Sequence, residues 1–334
     1  MTRWSAMFFV VLASMARTHA ATDAAPLPCL RPVPGVTWVR WEHQQPILDL
    51  WCRSVGPPVF MPALHRSGVI SRLLVLSWNL HVGGGDIEQL VGQLLDLSDE
   101  STGLVVLAQE AFRSGAEVPD LYPRELRAPS SIRPRRPVPD IVGIAERFGL
   151  WVAYVPSMRN GEGKTRETRE DRGNAVLSTE PLSDIRAIEL PFGKQRRVAV
   201  AATVAPRTNA LAPMRVVAAH FDPNGNRASQ AEALSGRMAS LGELPIVIGA
   251  DLNARRGFRD RTVTAVSQQA SLESCGTGRT HRWPWRLDVL LFFLVGRLDY
   301  MFSTLDGSVD RTCRTLSDAY DSDHLPLLLD VRVR

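Results

Sequence analysis

Short apolar runs alternate along this chain with segments whose apolar positions recur at helical spacing. Short runs between turn residues indicate buried strands, and apolar residues three or four apart indicate one face of a helix. Strands are predicted at residues 73–76, 104–107, 151–155, 174–178, 185–190, 198–204, 214–219, 246–248 and 327–333. Helices are predicted at residues 87–94, 138–148, 227–241 and 262–272.

No repeat, heptad or linker divides residues 71–334, so they are predicted to form one domain with a substantial core. Residues 21–70 carry proline and tryptophan without a sustained period, which indicates an N-terminal arm laid over that domain. Residues 1–20 have a basic start, a short apolar stretch and a small-residue end, as a signal peptide has. We expect a secreted or periplasmic protein, or a membrane-anchored one if this segment is not cleaved.

Four cysteines suit two disulfides in an oxidising compartment, whereas four unpaired thiols would indicate a reducing one. Spacing alone does not give the connectivity. For an exported chain we expect Cys29 to pair with Cys52, and Cys275 with Cys313 around residues 281–296.

The net charge of +4 allows an anionic substrate without identifying one. Lys164 and Lys194 are the only lysines, so nearly all basic residues are arginines. An arginine side chain can bind one phosphate through two parallel hydrogen bonds. The arginines are spread along the whole chain, however, so composition bias explains them as well. Residues 124–136 are rich in arginine, residues 159–172 are rich in charged residues including arginine, and both segments are predicted to be surface loops.

Polar residues stand at the ends of several predicted strands. They are Asn79, Glu110, His220, Asp251 with Asn253, and His324 with Asp323. Asp251 and Asn253 are two residues apart, so on an extended segment their side chains point to the same side of the strand. Each residue taken alone also has a structural explanation that needs no catalytic role. Asp251 would cap a helix, Glu110 would lie on the surface, and the histidines would be structural.

Three glycines, Gly83, Gly84 and Gly85, lie between a predicted strand and a helix, as in a dinucleotide site. The third glycine of the G-x-G-x-x-G pattern is absent, and that pattern is weak even when complete. Four strands crowded into residues 174–219 also argue against a parallel doubly wound sheet.

The ordered series S-W-N, Q-E, A-H, G-A-D-L-N, R-L-D-Y and S-D-H resembles the endonuclease/exonuclease/phosphatase superfamily over residues 73–333. That superfamily includes exonucleases, apurinic endonucleases, deoxyribonuclease and neutral sphingomyelinases. The resemblance implies an α/β fold: a four-layer sandwich of two mixed β-sheets packed face to face, with helices outside and the active site at one rim.

By this resemblance Glu110 is the principal Mg²⁺ ligand, with Mn²⁺ as an alternative ion, and Asp323 is a second, weaker metal contact. One carboxylate suffices because Mg²⁺ keeps several waters and takes substrate oxygens. Apurinic endonucleases carry a further carboxylate where this chain has His81. This departure weakens the case for a second tightly bound metal.

The resemblance assigns the other residues to catalysis. Asp251 holds and activates the attacking water, Asn253 and Asn79 orient it, and His220 donates to the phosphate. His324 contacts the phosphate or acts as acid or base.

Asp299 is implied to accept the other N–H of the His324 ring, which fixes its tautomer. The R-L-D sequence occurs twice, ending at Asp288 and at Asp299. Asp299 is preferred because a strand pattern follows it.

The implied function is Mg²⁺-dependent hydrolysis of phosphodiesters. The arginine-rich segments 124–136 and 159–172 favour nucleic acid slightly over a lipid headgroup. A sphingomyelinase-like or inositol-phosphate phosphoesterase, and a non-catalytic binding member of the family, remain alternatives. Residues 283–295 are apolar and aromatic, so they form either a buried insertion or a peripheral membrane contact. The oligomeric state is left open.

Overall fold

The computed structural model describes residues 26–64, 68–120, 125–126, 139–160, 169–208, 211–223, 225–254, 259–273, 275, 278–282 and 296–334. The strands in these ranges are β1 (Val36–Val39), β2 (Val59–Met61), β3 (Arg72–Asn79), β4 (Thr102–Ser114), β5 (Trp151–Arg159), β6 (Glu170–Ser178), β7 (Leu182–Glu189), β8 (Val198–Val204), β9 (Met214–His220), β10 (Ile246–Asp251), β11 (Ser271–Leu272), β12 (Asp299–Ser303), β13 (Val309–Thr315) and β14 (Leu327–Val333). The helices are α1 (Gln45–Cys52), α2 (Ile87–Asp96), α3 (Ile141–Phe148), α4 (Arg227–Ala239) and α5 (Arg261–Ser267).

The strands form two mixed sheets of seven strands each. The order in the first sheet is β1-β7-β8-β9-β10-β12-β11, and the order in the second is β13-β14-β3-β4-β6-β5-β2. The pairs β1/β7, β9/β10 and β3/β4 are parallel, whereas the other paired neighbours are antiparallel. A parallel doubly wound sheet is therefore excluded.

Alternate residues of the central strands enter different cores, as the pleat of a strand requires. Val75 and Val216 point into an apolar core shared by both sheets. Their neighbours Leu76 and Val217 point outward, where α2 and α3 cover the second sheet and α4 and α5 cover the first. The predicted four-layer α/β sandwich is thus confirmed.

The two sheets approach each other closely behind the strand ends that the sequence singled out. A Cβ atom on Gly249 would lie 2.5 Å from the Ser77 hydroxyl and 2.9 Å from a methyl group of Leu107. The buried side chain of Gln109 donates to the carbonyl of Gly249 at 3.2 Å and to the carbonyl of Leu107 at 2.9 Å. Gln109 therefore links the sheets next to Glu110.

The residues predicted to be an N-terminal arm supply β1 to one sheet and β2 to the other, through pairing with β7 and β5. A disulfide joins Cys29 to Cys52 at the end of α1. A second disulfide joins Cys275, after β11 of the first sheet, to Cys313 in β13 of the second. Both predicted pairings are confirmed.

The loop predicted over residues 159–172 is wrong at both ends, because Arg159 ends β5 and residues 170–172 begin β6. Charged residues are stable in this strand because they are paired: buried Asp171 accepts hydrogen bonds from Arg113 at 3.1 Å and from the Tyr154 hydroxyl at 2.8 Å. The helix predicted over 262–272 ends at Ser267.

Other predictions concern segments that lie wholly or largely outside the described residues. Residues 1–20, the apolar segment 283–295 and most of the basic segment 124–136 are not among the described residues. Of the helices that are described, none combines the length and the apolar character needed to cross a membrane.

Candidate active site

The strand-end residues meet at one edge of the sandwich. Parallel strands β9 and β10 end side by side, which places His220 opposite Asp251. Antiparallel β12 begins at that edge, which places Asp299 opposite Asp251 on the other side. Asn79 comes from the end of β3, the strand parallel to β4. Opposing sheets thus direct amide, carboxylate and imidazole groups toward each other.

Glu110 lies at an irregularity in β4, where the register with β6 shifts between Ala108 and Ala111. Its backbone has a positive φ of 53°, a conformation that is uncommon outside glycine and that often marks functional sites. One carboxylate oxygen accepts the Val82 N–H at 2.7 Å, and the other lies 3.5 Å from His220 Nδ1. The side chain is 15% exposed, so it reaches the adjoining cleft.

Asp251 is held by hydrogen bonds to both oxygens. Asn79 donates its side-chain N–H at 2.9 Å, and the Asn253 backbone N–H donates at 2.8 Å. Burial, together with the nearby charge of Asp299, raises the pKa of Asp251 to about 7. Such a carboxyl group can accept a proton near neutral pH.

His220 lies between donors and acceptors. Its Nδ1 is 3.1 Å from an Arg197 guanidinium nitrogen, and its Nε2 is 3.1 Å from the Asn253 side-chain nitrogen. Burial and the positive charge of Arg197 hold the pKa of His220 well below its usual value. The neutral ring carries one N–H, which can be directed to Glu110 at 3.5 Å or to Asp251 at 3.4 Å.

His324 and Asp299 form a buried pair, with His324 Nδ1 2.8 Å from an Asp299 carboxylate oxygen. Burial opposes the charged ring, but Asp299 outweighs it and raises the pKa of His324 to about 10. The other ring nitrogen lies 3.9 Å from Asp251. The structure thus brings the preferred R-L-D aspartate to His324; Asp288 lies outside the described residues.

The loop that carries His324 is fastened to the end of β3. The buried Trp78 indole donates to the His324 carbonyl at 2.9 Å. The Ser322 hydroxyl donates to the Asn79 carbonyl at 2.8 Å and accepts the His324 N–H at 3.0 Å. Trp78 and Ser322 therefore fix His324 relative to Asn79.

Asp323 lies at the partly open side of this loop and is 30% exposed. Its carboxylate is 3.4 Å from His81 and 3.5 Å from His281. Burial opposes the charged carboxylate, but the hydrogen bond from His281 and the neighbouring imidazoles lower the pKa of Asp323.

Two groups in the described residues could hold a metal ion: Asp251, Asp299 and His324, and also His281, Asp323 and His324. Their ligand atoms lie within 4.8 Å of one another. Glu110 belongs to neither group, but a Mg²⁺ site needs only one or two carboxylates together with water and substrate oxygens.

Two arginines that the sequence did not single out line the cleft beside Glu110 and His220. Arg172, in β6, and Arg197, just before β8, are almost fully buried. Within the described part of the chain, Nη1 of Arg172 has no hydrogen-bond partner. Because arginine is abundant throughout this sequence, only the structure distinguishes these two.

A family model matches most of this chain. The model of the Endonuclease/Exonuclease/phosphatase family matches residues 76–324. Members of this family are mostly hydrolases of phosphoester bonds and typically depend on a divalent metal. No curated protein sequence matches the chain significantly.

Several solved structures share the fold. An endonuclease/exonuclease/phosphatase from Beutenbergia cavernae is 18% identical, with a TM-score of 0.53, over 79% of this chain and 72% of that one. The human nocturnin catalytic domain with bound sulfate is 15% identical, with a TM-score of 0.52, over 83% and 98%. A family protein from Bacteroides thetaiotaomicron is 14% identical, with a TM-score of 0.52, over 79% and 98%. The chain belongs to the endonuclease/exonuclease/phosphatase family.

Proposed function

We propose that this protein is a Mg²⁺-dependent phosphoesterase that hydrolyses phosphodiester bonds, with Mn²⁺ as an alternative ion. The observation that carries this proposal is the convergence of acidic, amide and imidazole groups on one edge, beside a cleft lined by two buried arginines. The converging residues are Asn79, Glu110, His220, Asp251, Asn253, Asp299 and His324.

Glu110 is the proposed Mg²⁺ ligand. It offers hard oxygen donors, as Mg²⁺ prefers, and its 15% exposure leaves room for the waters that the ion keeps. The hydrogen bond from Val82 and the left-handed backbone fix its direction. A bound ion would supply Lewis-acid polarisation of a phosphoryl oxygen.

The remaining residues act on water and phosphate. Asp251, fixed by Asn79 and Asn253, accepts a proton from the attacking water. The His324 ring, oriented by Asp299, donates a hydrogen bond to a phosphoryl oxygen as negative charge develops there.

Two cations and a neutral imidazole complete the proposed phosphate site. Arg172 and Arg197 offset the charge of the phosphodiester from the cleft beside Glu110, and His220 donates to the phosphate.

Nucleic acid is the substrate class that we favour over a phospholipid headgroup. The support is the arginine content of residues 124–136 and of the segment between β5 and β6, because arginine side chains bind the phosphates of a nucleic-acid backbone. We also propose that the protein is exported. The N-terminal pattern and the two disulfides support this, because disulfides persist in oxidising compartments.

A substrate panel tests the proposal. The protein would be assayed with Mg²⁺ on DNA, RNA, sphingomyelin and inositol phosphates. Faster turnover of nucleic acid than of the lipid and inositol substrates is expected. Turnover of sphingomyelin alone would replace nucleic acid by a lipid headgroup, and turnover of none would favour a non-catalytic binding role.

A further inference from the structure

One edge of the second sheet is a long strand, β13, which pairs on one side with β14. β13 has seven residues, whereas the other edge strands β1, β2 and β11 have four, three and two. Within the described residues, no strand pairs with the opposite side of β13. We propose that two copies of this chain associate by antiparallel pairing of their β13 strands about a two-fold axis at Thr312. This association does not depend on the proposed hydrolysis.

β13 differs from edge strands that are built to avoid pairing. Natural edge strands are commonly very short, interrupted by a β-bulge or broken by proline. β13 contains no proline, and its register with β14 runs without a shift from Val309 to Thr315. Charged side chains, which also protect edges, are present, so their signs decide which partner this edge accepts.

The backbone groups of alternate β13 residues face the unpaired side. The Leu316 N–H, just after β13, donates to the Pro326 carbonyl at 2.8 Å, across the pair with β14. At the other end, the Val333 N–H donates to the Ser71 carbonyl at 3.0 Å, so Val333 turns away from its β13 neighbour Val309. Because these groups alternate along an antiparallel pair, the odd-numbered residues of β13 face away from β14. Their N–H and C=O groups can therefore pair with a second copy.

The side chains of β13 separate into a core face and a solvent face. Val309 and Cys313 pack against the core shared by the two sheets. Side chains alternate along a strand, so Asp310, Thr312 and Arg314 share the opposite face, and all three are exposed. This solvent face therefore carries an acid, a neutral residue and a base at equal spacing.

Charge complementarity selects one register for this pairing. In a two-fold antiparallel pair centred on Thr312, all seven residues of β13 overlap, and Asp310 of each copy lies opposite Arg314 of the other. Opposite charges directly across two strands stabilise the pair, whereas like charges destabilise it. A centre at Arg311 would instead place this arginine opposite its own copy. The centre at Thr312 thus combines the longest overlap with two attractive pairs.

Asp310 also has an ion pair within its own chain. Its Oδ1 lies 2.7 Å from Nε of Arg334, and the two side chains are 63% and 60% exposed. Ion pairs as exposed as this one contribute little to stability. Asp310 can therefore face a second chain at little cost to the fold.

Charge reversal tests the proposed register. A single pair of edge strands is a small interface, so the dimer fraction should rise with protein concentration in sedimentation velocity. Asp310→Arg and Arg314→Asp should each raise the dimer dissociation constant by roughly tenfold or more, because two attractive pairs become two repulsive ones. The variant with both substitutions restores opposite charges across the axis and should dimerise as wild type does.

Glu42→Arg is the matched control, since it reverses a charge at an exposed residue of the N-terminal arm. This variant should dimerise as wild type does, and urea unfolding checks that every variant is folded. A wild-type protein that stays monomeric at every concentration would overturn the proposal. Dimerisation of either single variant as strong as that of wild type, or failure of the double variant to recover, would overturn the register.

A cysteine at the proposed axis gives an independent test. The two Thr312 residues would form a non-hydrogen-bonded pair, whose Cα atoms are about 4.5 Å apart, and a disulfide accepts about 4.4–6.8 Å. Thr312→Cys should therefore give a covalent dimer on oxidation, seen in non-reducing electrophoresis. Ser308→Cys, at an exposed residue before β13, is the control and should stay monomeric, because the two copies of residue 308 lie on opposite sides of the axis. Equal yields of covalent dimer from the two variants, or none from Thr312→Cys, would overturn the axis at Thr312.

Discussion

At the scale of single residues, Thr280 positions the candidate site without facing it. Its hydroxyl accepts the backbone N–H groups of Leu298 at 2.9 Å and Asp299 at 3.0 Å. Its carbonyl accepts the Leu325 N–H at 2.7 Å. Thr280 is fully buried, and it ties the start of β12 to the loop of His324.

Thr280→Val should lower both stability and turnover. The substitution keeps the shape but leaves two buried N–H groups without an acceptor, at a cost of about 1–3 kcal/mol for each unsatisfied group. The Asp299 backbone is then free to shift from His324, so kcat should fall more than KM rises. Thr280→Ser keeps the hydroxyl and should behave as wild type in urea unfolding and kinetics. Equal results for the valine and serine variants would show that the hydroxyl does not hold Asp299.

Asp299→Asn should reduce turnover strongly, on the order of 10²–10⁴-fold, because it removes the negative charge that keeps the His324 ring protonated as a donor. Asp288→Asn is the matched variant in the other R-L-D copy and should change turnover little. Steady-state kinetics on a chromogenic phosphodiester gives the comparison. A larger loss at Asp288 would mean that the wrong copy was chosen.

The strand-end residues could be predicted because a polar group that follows an apolar run is visible in the sequence. Thr280 could not, since a threonine in a loop carries no periodic signal and its partners lie far along the chain. Arg172 and Arg197 were also missed. Nothing in the sequence tells a cleft arginine from the many on the surface.

At the scale of elements, the close approach of β10 to β3 and β4 sets the geometry behind the site. Strong apolar strands were predictable, but the edge strand β13 was not. Three successive residues in it, Asp310, Arg311 and Thr312, are exposed, so it lacks a continuous apolar run. The start of β6 was also missed. Its residues are charged, which suggests a surface loop, but in the structure these charges are buried and paired.

Gly249→Ala should destabilise the protein by about 1–3 kcal/mol, because the new methyl group would press on the Ser77 hydroxyl and Leu107. Gly236→Ala, in α4 with no atom within 4 Å of the added Cβ, is the control and should stabilise by roughly 0.5–1 kcal/mol. Urea unfolding measures both. If both variants had the same stability, the contact between the sheets at Gly249 would not be tight.

At the scale of the whole molecule, the two sheets are joined by their shared core and by the Cys275–Cys313 disulfide, which links the segment after β11 of one sheet to the edge strand β13 of the other. The chain segment between these cysteines carries Asp299 and Thr280. A disulfide stabilises a fold mainly because it restricts the unfolded chain, here the segment between the two cysteines.

Replacing both Cys275 and Cys313 by serine should lower the free energy of unfolding by about 2–4 kcal/mol, the range for a disulfide that closes a loop of this length. Peptide mapping under non-reducing conditions should find the Cys275–Cys313 and Cys29–Cys52 linkages in exported protein. Four free thiols in that material would contradict both bonds.

Glu110 is the residue proposed to bind the metal that activates a phosphodiester. The direct measurement is hydrolysis of bis(p-nitrophenyl) phosphate by wild type, Glu110→Gln and Glu117→Gln, each with Mg²⁺ and with chelator. Glu117, an exposed glutamate shortly after β4, is the matched control. Mg²⁺-stimulated turnover is predicted for wild type and Glu117→Gln, and its loss for Glu110→Gln. Equal Mg²⁺ stimulation in all three proteins would show that Glu110 is not the metal ligand, and full activity in chelator would show that hydrolysis needs no metal.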